Sequence, residues 1–224
     1  TEVKRGLIDH VPDLAIADIL GSTEGGMGQS IMTKDTPASE TAKFTLLPVA
    51  KVLVPDGSRE VVPGSGEVGM VAQGGMVPLG YYKDPEKSAK TFKEVDGKRY
   101  AFIGDMATVE ADGTINLLGR GSNCINTGGE KVFPEEVEEA LKLHPAVEDA
   151  LVFGLEDERF GNRVAGVVSI EKGGTADADE VLEATRKLLA SYKLPKELLV
   201  VPVVPRAPNG KADYKAAKAL VADP

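Results

Sequence analysis

The chain has 224 residues, with 26 Lys and Arg against 35 Asp and Glu, for a net charge of −9. That balance argues against a general nucleic-acid binder, whose affinity comes from neutralising phosphates, and a hydrophobic share of 42% excludes a disordered chain. A single cysteine, Cys124, excludes an internal disulfide, only His10 and His144 stand beside it for a zinc site, and no apolar run is long enough to span a bilayer.

In chain order, residues 1–10 read as the tail of a helix. Leu14 to Ile19 reads as a short buried strand running into GSTEGGMG at 21–28, expected to be a glycine-rich loop. A strand ending in such a loop presents backbone amides to a ligand. From Phe44 to Leu118 strand signals follow one another, at 49–54 and 67–73, with turn dipeptides at Asp56-Gly57, Asp96-Gly97 and Asp112-Gly113. Pro85 to Phe92 fits a short helix with proline at its start. This spacing predicts a small barrel or sandwich. The pattern changes near Gly119. Helices are expected at 134–143, 179–192 and 213–221, and strands at 147–153, 163–170 and 198–201. The expected fold class is therefore α+β. A β-barrel-like subdomain at 44–118 would be followed by a compact α+β domain at 119–224, with 1–43 belonging to a separate core.

Gly64-Ser65-Gly66-Glu67-Val68-Gly69 matches G-x-G-x-x-G, but a dinucleotide fingerprint must open a helix and 67–73 is strand-like. Gly21-Ser22-Thr23-Glu24 offers a hydroxyl and loop amides to a phosphate and a carboxylate to Mg²⁺; the plain alternative is a capping loop. Gly104-Asp105 places a carboxylate at a strand end, able to accept both hydroxyls of a ribose, or else a solvated turn acid. Gly119-Arg120-Gly121-Ser122 combines backbone freedom with a phosphate- or ribose-binding cation, or is a linker. Gly128-Gly129-Glu130-Lys131 reads as a tight turn that lets a thin ligand approach. Pro208-Asn209-Gly210-Lys211 sets one lysine on a turn tip. Cys124 reads as a small buried residue.

Taken together, these motifs resemble those of the adenylate-forming superfamily of acyl-CoA synthetases, nonribosomal adenylation domains and luciferases. Gly80-Tyr81-Tyr82 with Pro85-Glu86, and the run 119–138, carry the resemblance further. GRGSNCINTGGEKVFPEEVE looks most like the fatty-acid and steroid side-chain CoA ligases. The resemblance implies a carboxylate attacking the α-phosphate of ATP, then displacement of AMP by the thiol of coenzyme A. It implies that Gly21, Ser22 and Thr23 hold the AMP phosphate and that Glu24 ligates Mg²⁺. Asp105 and Arg120 would reach the ribose, Gly128 and Gly129 would line a pantetheine channel, and Lys211 would bridge carboxylate and phosphate. It further implies that 119–224 is a mobile lid turning at Gly119, and that the chain is the C-terminal two-fifths of a longer enzyme, inactive alone. Leu20, Ile103, Gly119 and Ser122-Asn123 depart from the family's usual residues. Partners would be a carboxylic acid, ATP and CoA, without nucleic acid or a membrane span, in the cytoplasm. The alternatives are a domain that loads a carrier protein and a non-catalytic binding module.

Overall fold

The computed structural model describes residues 2–36 and 43–222; residues 37–42, the end of the expected first segment, lie outside them. The chain divides into two compact units, Thr1–Leu118 and Gly119–Pro224.

The first unit opens with α1 (Glu2–His10), followed by β1 (Ile16–Ser22), β2 (Gly25–Met32), β3 (Lys43–Leu46), β4 (Ala50–Leu53) and β5 (Gly69–Gln73). Then come α2 (Pro85–Thr91), β6 (Phe92–Val95), β7 (Lys98–Val109) and β8 (Ile115–Arg120), which runs across the unit boundary. The glycine-rich stretch at 21–28 is not a loop, as expected, but most of a hairpin. β1 and β2 pair antiparallel from Ile16↔Met32 to Ser22↔Gly25, leaving a two-residue turn at Thr23-Glu24. Glycine lowers strand propensity, but ladder pairing and close approach decide here: a Cβ on Gly28 would stand 2.9 Å from the Thr45 carbonyl oxygen of the neighbouring strand. The strands join in the order β1-β2-β3-β8-β7-β5-β4, with β6 on β7. Among the described residues this path is open, so the barrel-like expectation is realised as a twisted-sheet arrangement with ends rather than a closed barrel. It also runs through the expected 43/44 boundary, because β3 pairs with β2 on one side and β8 on the other. The successive residues Val71 and Ala72 are both fully buried, so β5 is covered on both faces. Met27, Val71, Ala107 and Ile115 pack on one side; Leu53, Ala72, Tyr100 and Phe102 on the other. Asp96-Gly97 joins β6 to β7 with both residues at positive φ, 51° and 71°, the backbone a two-residue hairpin demands.

The second unit begins with β9 (Ile125–Thr127) and β10 (Glu130–Val132), a small hairpin, then α3 (Pro134–Lys142), β11 (Val147–Asp157) and β12 (Gly161–Ile170). After these come α4 (Ala178–Thr185), β13 (Glu197–Val200) and α5 (Tyr214–Ala222). Pro134 opens α3, Glu135 and Glu136 fill its first turn and Lys142 its last, each charge suited to the helix dipole. β12 is the middle strand, antiparallel to β11 and parallel to β13. Side chains alternate across β11. Ala150 and Val152 meet Val137 and Leu141 of α3 and Val181 of α4; Leu151 and Phe153 meet Ala217 and Val221 of α5. The expected helix at 179–192 ends at Thr185. Beyond it Lys187 N–H bonds to Ala184 O and Leu188 N–H to Thr185 O, the i→i+3 pattern of a tightened turn. The 3.6-residue apolar period continues there, but Leu188 is exposed and only Leu189 reaches the core.

Candidate functional site

The Thr23-Glu24 turn is built by its own side chains. Ser22 Oγ accepts the Glu24 N–H at 3.2 Å, and Thr23 Oγ1 donates to Glu24 Oε2 at 3.0 Å. The other carboxylate oxygen, Oε1, accepts from the Tyr81 hydroxyl. This donation from Tyr81, helped by Ser22 and Thr23, holds the Glu24 carboxyl at about 2 against an ordinary 4.5, so Glu24 is ionised at any physiological pH. Tyr81 is brought there by the start of α2: Asp84 caps the helix through Lys87 N–H, and Ser88 Oγ accepts the Tyr81 N–H at 2.8 Å. Tyr81→Phe is expected to move the Glu24 carboxyl up from about 2 toward 4.5, read by carboxyl-carbon NMR titration. An unchanged titration would mean that Ser22 and Thr23 hold it without the phenol. Under the same turn lies Gln73, 5% exposed, its Oε1 buried without a partner among the described residues. Gly25 has φ +143°, a backbone that side-chain-bearing residues rarely adopt, and a Cβ there would also press on the Gln73 amide, 2.2 Å from its nitrogen.

Asp105 does not stand at a strand end, as expected. β7 continues to Val109, and Asp105 sits in a bulge. The pairings Met70↔Met106 and Ala72↔Phe102 leave Ile103-Gly104-Asp105 opposite Val71 alone, with Gly104 at φ +95°. Bulges re-aim a side chain away from the pleat. Asp105 is half-buried there.

In the second unit, Gly119 has φ +130°, and a Cβ there would stand 2.1 Å from Glu135 Oε2. The same carboxylate accepts the Arg120 N–H through Oε1 at 3.3 Å. Gly119→Ala is expected to destabilise the chain by about 2 kcal/mol, because a left-handed backbone and a close contact are both imposed on alanine. Urea midpoints check this; adding Glu135→Ala should recover the steric share, and no change in the single variant would refute the contact. Gly128-Gly129 form the two-residue turn between β9 and β10, at φ +58° and +91°. The Gly128 N–H donates to Phe160 O at 3.0 Å, while Gly129 has nothing within 4 Å of its Cβ position. Lys211 lies on the exposed turn before α5. There the Gly210 N–H bonds Ala207 O at 2.8 Å, the Ala207 N–H bonds Lys211 O at 2.8 Å, and Gly210 has φ +79°. Cys124, expected to be buried, is half-buried, and burial pushes its thiol up from 9.0. It lines a groove of about 200 Å³ with Ser122, Phe153, Asn162, Tyr214 and Lys218.

The structure thus joins Gly21, Ser22, Thr23 and Glu24 in one turn with Tyr81. It places Asp105 on β7, Arg120 at the end of β8, Gly128-Gly129 on the β9–β10 turn and Lys211 before α5. Sequence reasoning gave no site role to Gln73, Glu135 or Glu138. Glu138, on α3, is 8% exposed and accepts the Val152 N–H of the edge strand β11 at 2.9 Å. Burial pushes its carboxyl up to about 7, with Glu135 adding and the Val152 N–H opposing. Only the Glu135-Glu136-Val137-Glu138 spacing, which puts Glu138 beside Leu141 on the apolar face, could have drawn attention to it.

Residues 136–211 match the AMP-binding enzyme C-terminal domain, and the chain belongs to the adenylate-forming enzymes. It is 47% identical over 219 residues to the 3-oxocholest-4-en-26-oate–CoA ligase of Rhodococcus rhodochrous, covering 96% of this chain and 39% of that protein. A medium/long-chain-fatty-acid–CoA/3-oxocholest-4-en-26-oate–CoA ligase of Mycolicibacterium smegmatis is also 47% identical, with 97% and 40% covered. The chain therefore spans about two-fifths of the length of these relatives. Among solved structures, ATP-bound MatB from Rhodopseudomonas palustris superposes with a TM-score of 0.76 at 29% identity, covering 93% of this chain and 41% of that one. Amide bond synthetase McbA from Marinactinospora thermotolerans gives 0.77 at 26%, covering 91% and 42%. The α+β class expected from the sequence is the class found. Among the described residues, no helix is long and apolar enough to cross a membrane.

Proposed function

We propose that this chain is the C-terminal portion of an AMP-forming acyl-CoA ligase acting on a steroid side-chain or medium- to long-chain fatty carboxylate. The observation that carries this reading is the 47% identity over 219 residues to a steroid side-chain CoA ligase. In this reading the Ser22 and Thr23 hydroxyls and the Gly21 backbone receive the AMP phosphate. Asp105 accepts the ribose hydroxyls and Arg120 donates to them. Glu24, ionised and held by Thr23 and Tyr81, fits the single protein carboxylate with which Mg²⁺ is held alongside substrate phosphates. The ion would neutralise charge on those phosphates. Lys211 supplies a fixed cation where the attacking carboxylate meets phosphorus. Gly119 is the hinge about which 119–224 exchanges Lys211 for Gly128-Gly129, the turn that receives pantetheine.

The test is a chimera in which this chain replaces the matching 39% of the Rhodococcus ligase. With ATP, CoA and 3-oxocholest-4-en-26-oate or fatty acids, pyrophosphate release and acyl-CoA are expected. Release of neither would sink the proposal. Transfer to a carrier-protein thiol in place of CoA would favour a carrier-loading domain.

A further inference from the structure

We propose that Arg206, forked onto Asp149, is a positioning residue that fixes the direction in which the Lys211 turn presents its ammonium. The proposal rests on the adenylation role assigned to Lys211 above. The hydrogen bonds inside the turn close it upon itself. Ala207 N–H to Lys211 O, Gly210 N–H to Ala207 O and Lys211 N–H to Asn209 Oδ1 tie the turn to nothing else. Pro208, Asn209, Gly210 and Lys211 are all exposed. A turn so built is rigid in shape, but its exposed tip, Pro208 to Lys211, does not by itself set its orientation.

Arg206 supplies that orientation. It is the residue just before the turn and bridges antiparallel to Ala212 just after it. Its guanidinium donates from Nε to Asp149 Oδ2 at 2.9 Å and from Nη2 to Asp149 Oδ1 at 2.6 Å. Two parallel bonds in one plane fix angle as well as distance, which a single ammonium cannot do. Asp149 is itself steadied in β11, where its Oδ1 accepts the Ala150 N–H at 2.9 Å. On the far side of the turn, Asp213 N–H reaches Pro205 O at 3.2 Å, and its carboxylate caps the start of α5 through Ala216 N–H at 3.0 Å. The hydrogen bonds to Asp149 also push the Arg206 guanidinium up from its ordinary value, so the fork stays fully charged. The stem of the turn is thus clamped to β11 on one side and runs into the capped start of α5 on the other, and Lys211 projects from that clamp.

The test uses the chimera and measures the two half-reactions separately. Arg206→Ala is expected to slow acyl-adenylate formation about 10–100-fold, the scale of a misplaced catalytic group. Thioester formation from synthetic acyl-adenylate should stay within about twofold, since that step does not use Lys211. Preserved thioester formation also shows that the variant folds. Arg206→Lys, which keeps charge without the fork, should recover little. Equal losses in both half-reactions, no loss in the first, or full recovery by Arg206→Lys would each overturn the proposal. Lys211→Ala is run beside it. If Lys211→Ala slows adenylation and Arg206→Ala does not, the positioning role alone is wrong. If Lys211→Ala has no effect, the reading of Lys211 falls and this proposal with it.

Discussion

Lys211→Ala, in the chimera, is expected to lower the adenylation rate about 10²–10³-fold, the usual cost of losing one preorganised transition-state donor. Thioester formation from synthetic acyl-adenylate should be unaffected. The turn itself should survive, because Lys211 holds it through backbone atoms only: its N–H donates to Asn209 and its carbonyl accepts from Ala207. The side chain is exposed, so its removal uncovers no core. Equal losses in the two half-reactions would show that Lys211 acts through folding or general charge. An unchanged adenylation rate would reduce it to a solvated surface lysine.

The second large effect is on stability. Glu138 has a carboxyl at about 7 in the folded chain against 4.5 ordinarily, because burial disfavours its charge. Between those values the folded chain holds a proton that the unfolded chain has released. Stability must then fall as pH rises through that window and level off above it, by about 3 kcal/mol in all. Glu24 and Asp112 have carboxyls held at about 2 by hydrogen bonds and act in the opposite sense, but they finish titrating below pH 5. Urea unfolding at pH 5 and pH 8 isolates the Glu138 contribution. Glu138→Gln keeps an oxygen for the Val152 N–H and carries no charge, so its stability should change far less between the two pH values. Parallel pH dependence in the two proteins would show that Glu138 is not the group responsible.

What the sequence discloses is what depends on neighbours along the chain. Asp96-Gly97 declares a hairpin because few other pairs tolerate two positive φ angles. Pro134 with two glutamates declares the start of α3. The α4 boundary is missed because an apolar period does not distinguish i→i+4 bonds from the i→i+3 bonds that follow Thr185. The hairpin at Gly21–Gly28 is missed because its glycines are dictated by Thr45, Gly25 and Gln73, contacts made across the sheet. The site divides in the same way. Thr23, Glu24, Asp105 and Lys211 stand in short motifs, whereas Tyr81, Glu138 and the Arg206–Asp149 pair take their meaning from partners 57, 14 and 57 positions away.

The bulge that carries Asp105 has a further consequence, which concerns parity. Strand side chains alternate with period two, so an odd insertion would turn the rest of β7 inside out. This insertion is even. Met70 faces Met106 on one side of it and Ala72 faces Phe102 on the other. Accordingly Tyr100 and Phe102 pack with Ala72, while Ala107 packs with Val71 on the opposite face, as an uninterrupted strand would have it. β7 therefore carries two residues that its sheet could lose without exchanging core for surface. Under the ribose role proposed for Asp105, what these two residues supply is the aim of its carboxylate, at no cost to the pattern of core and surface.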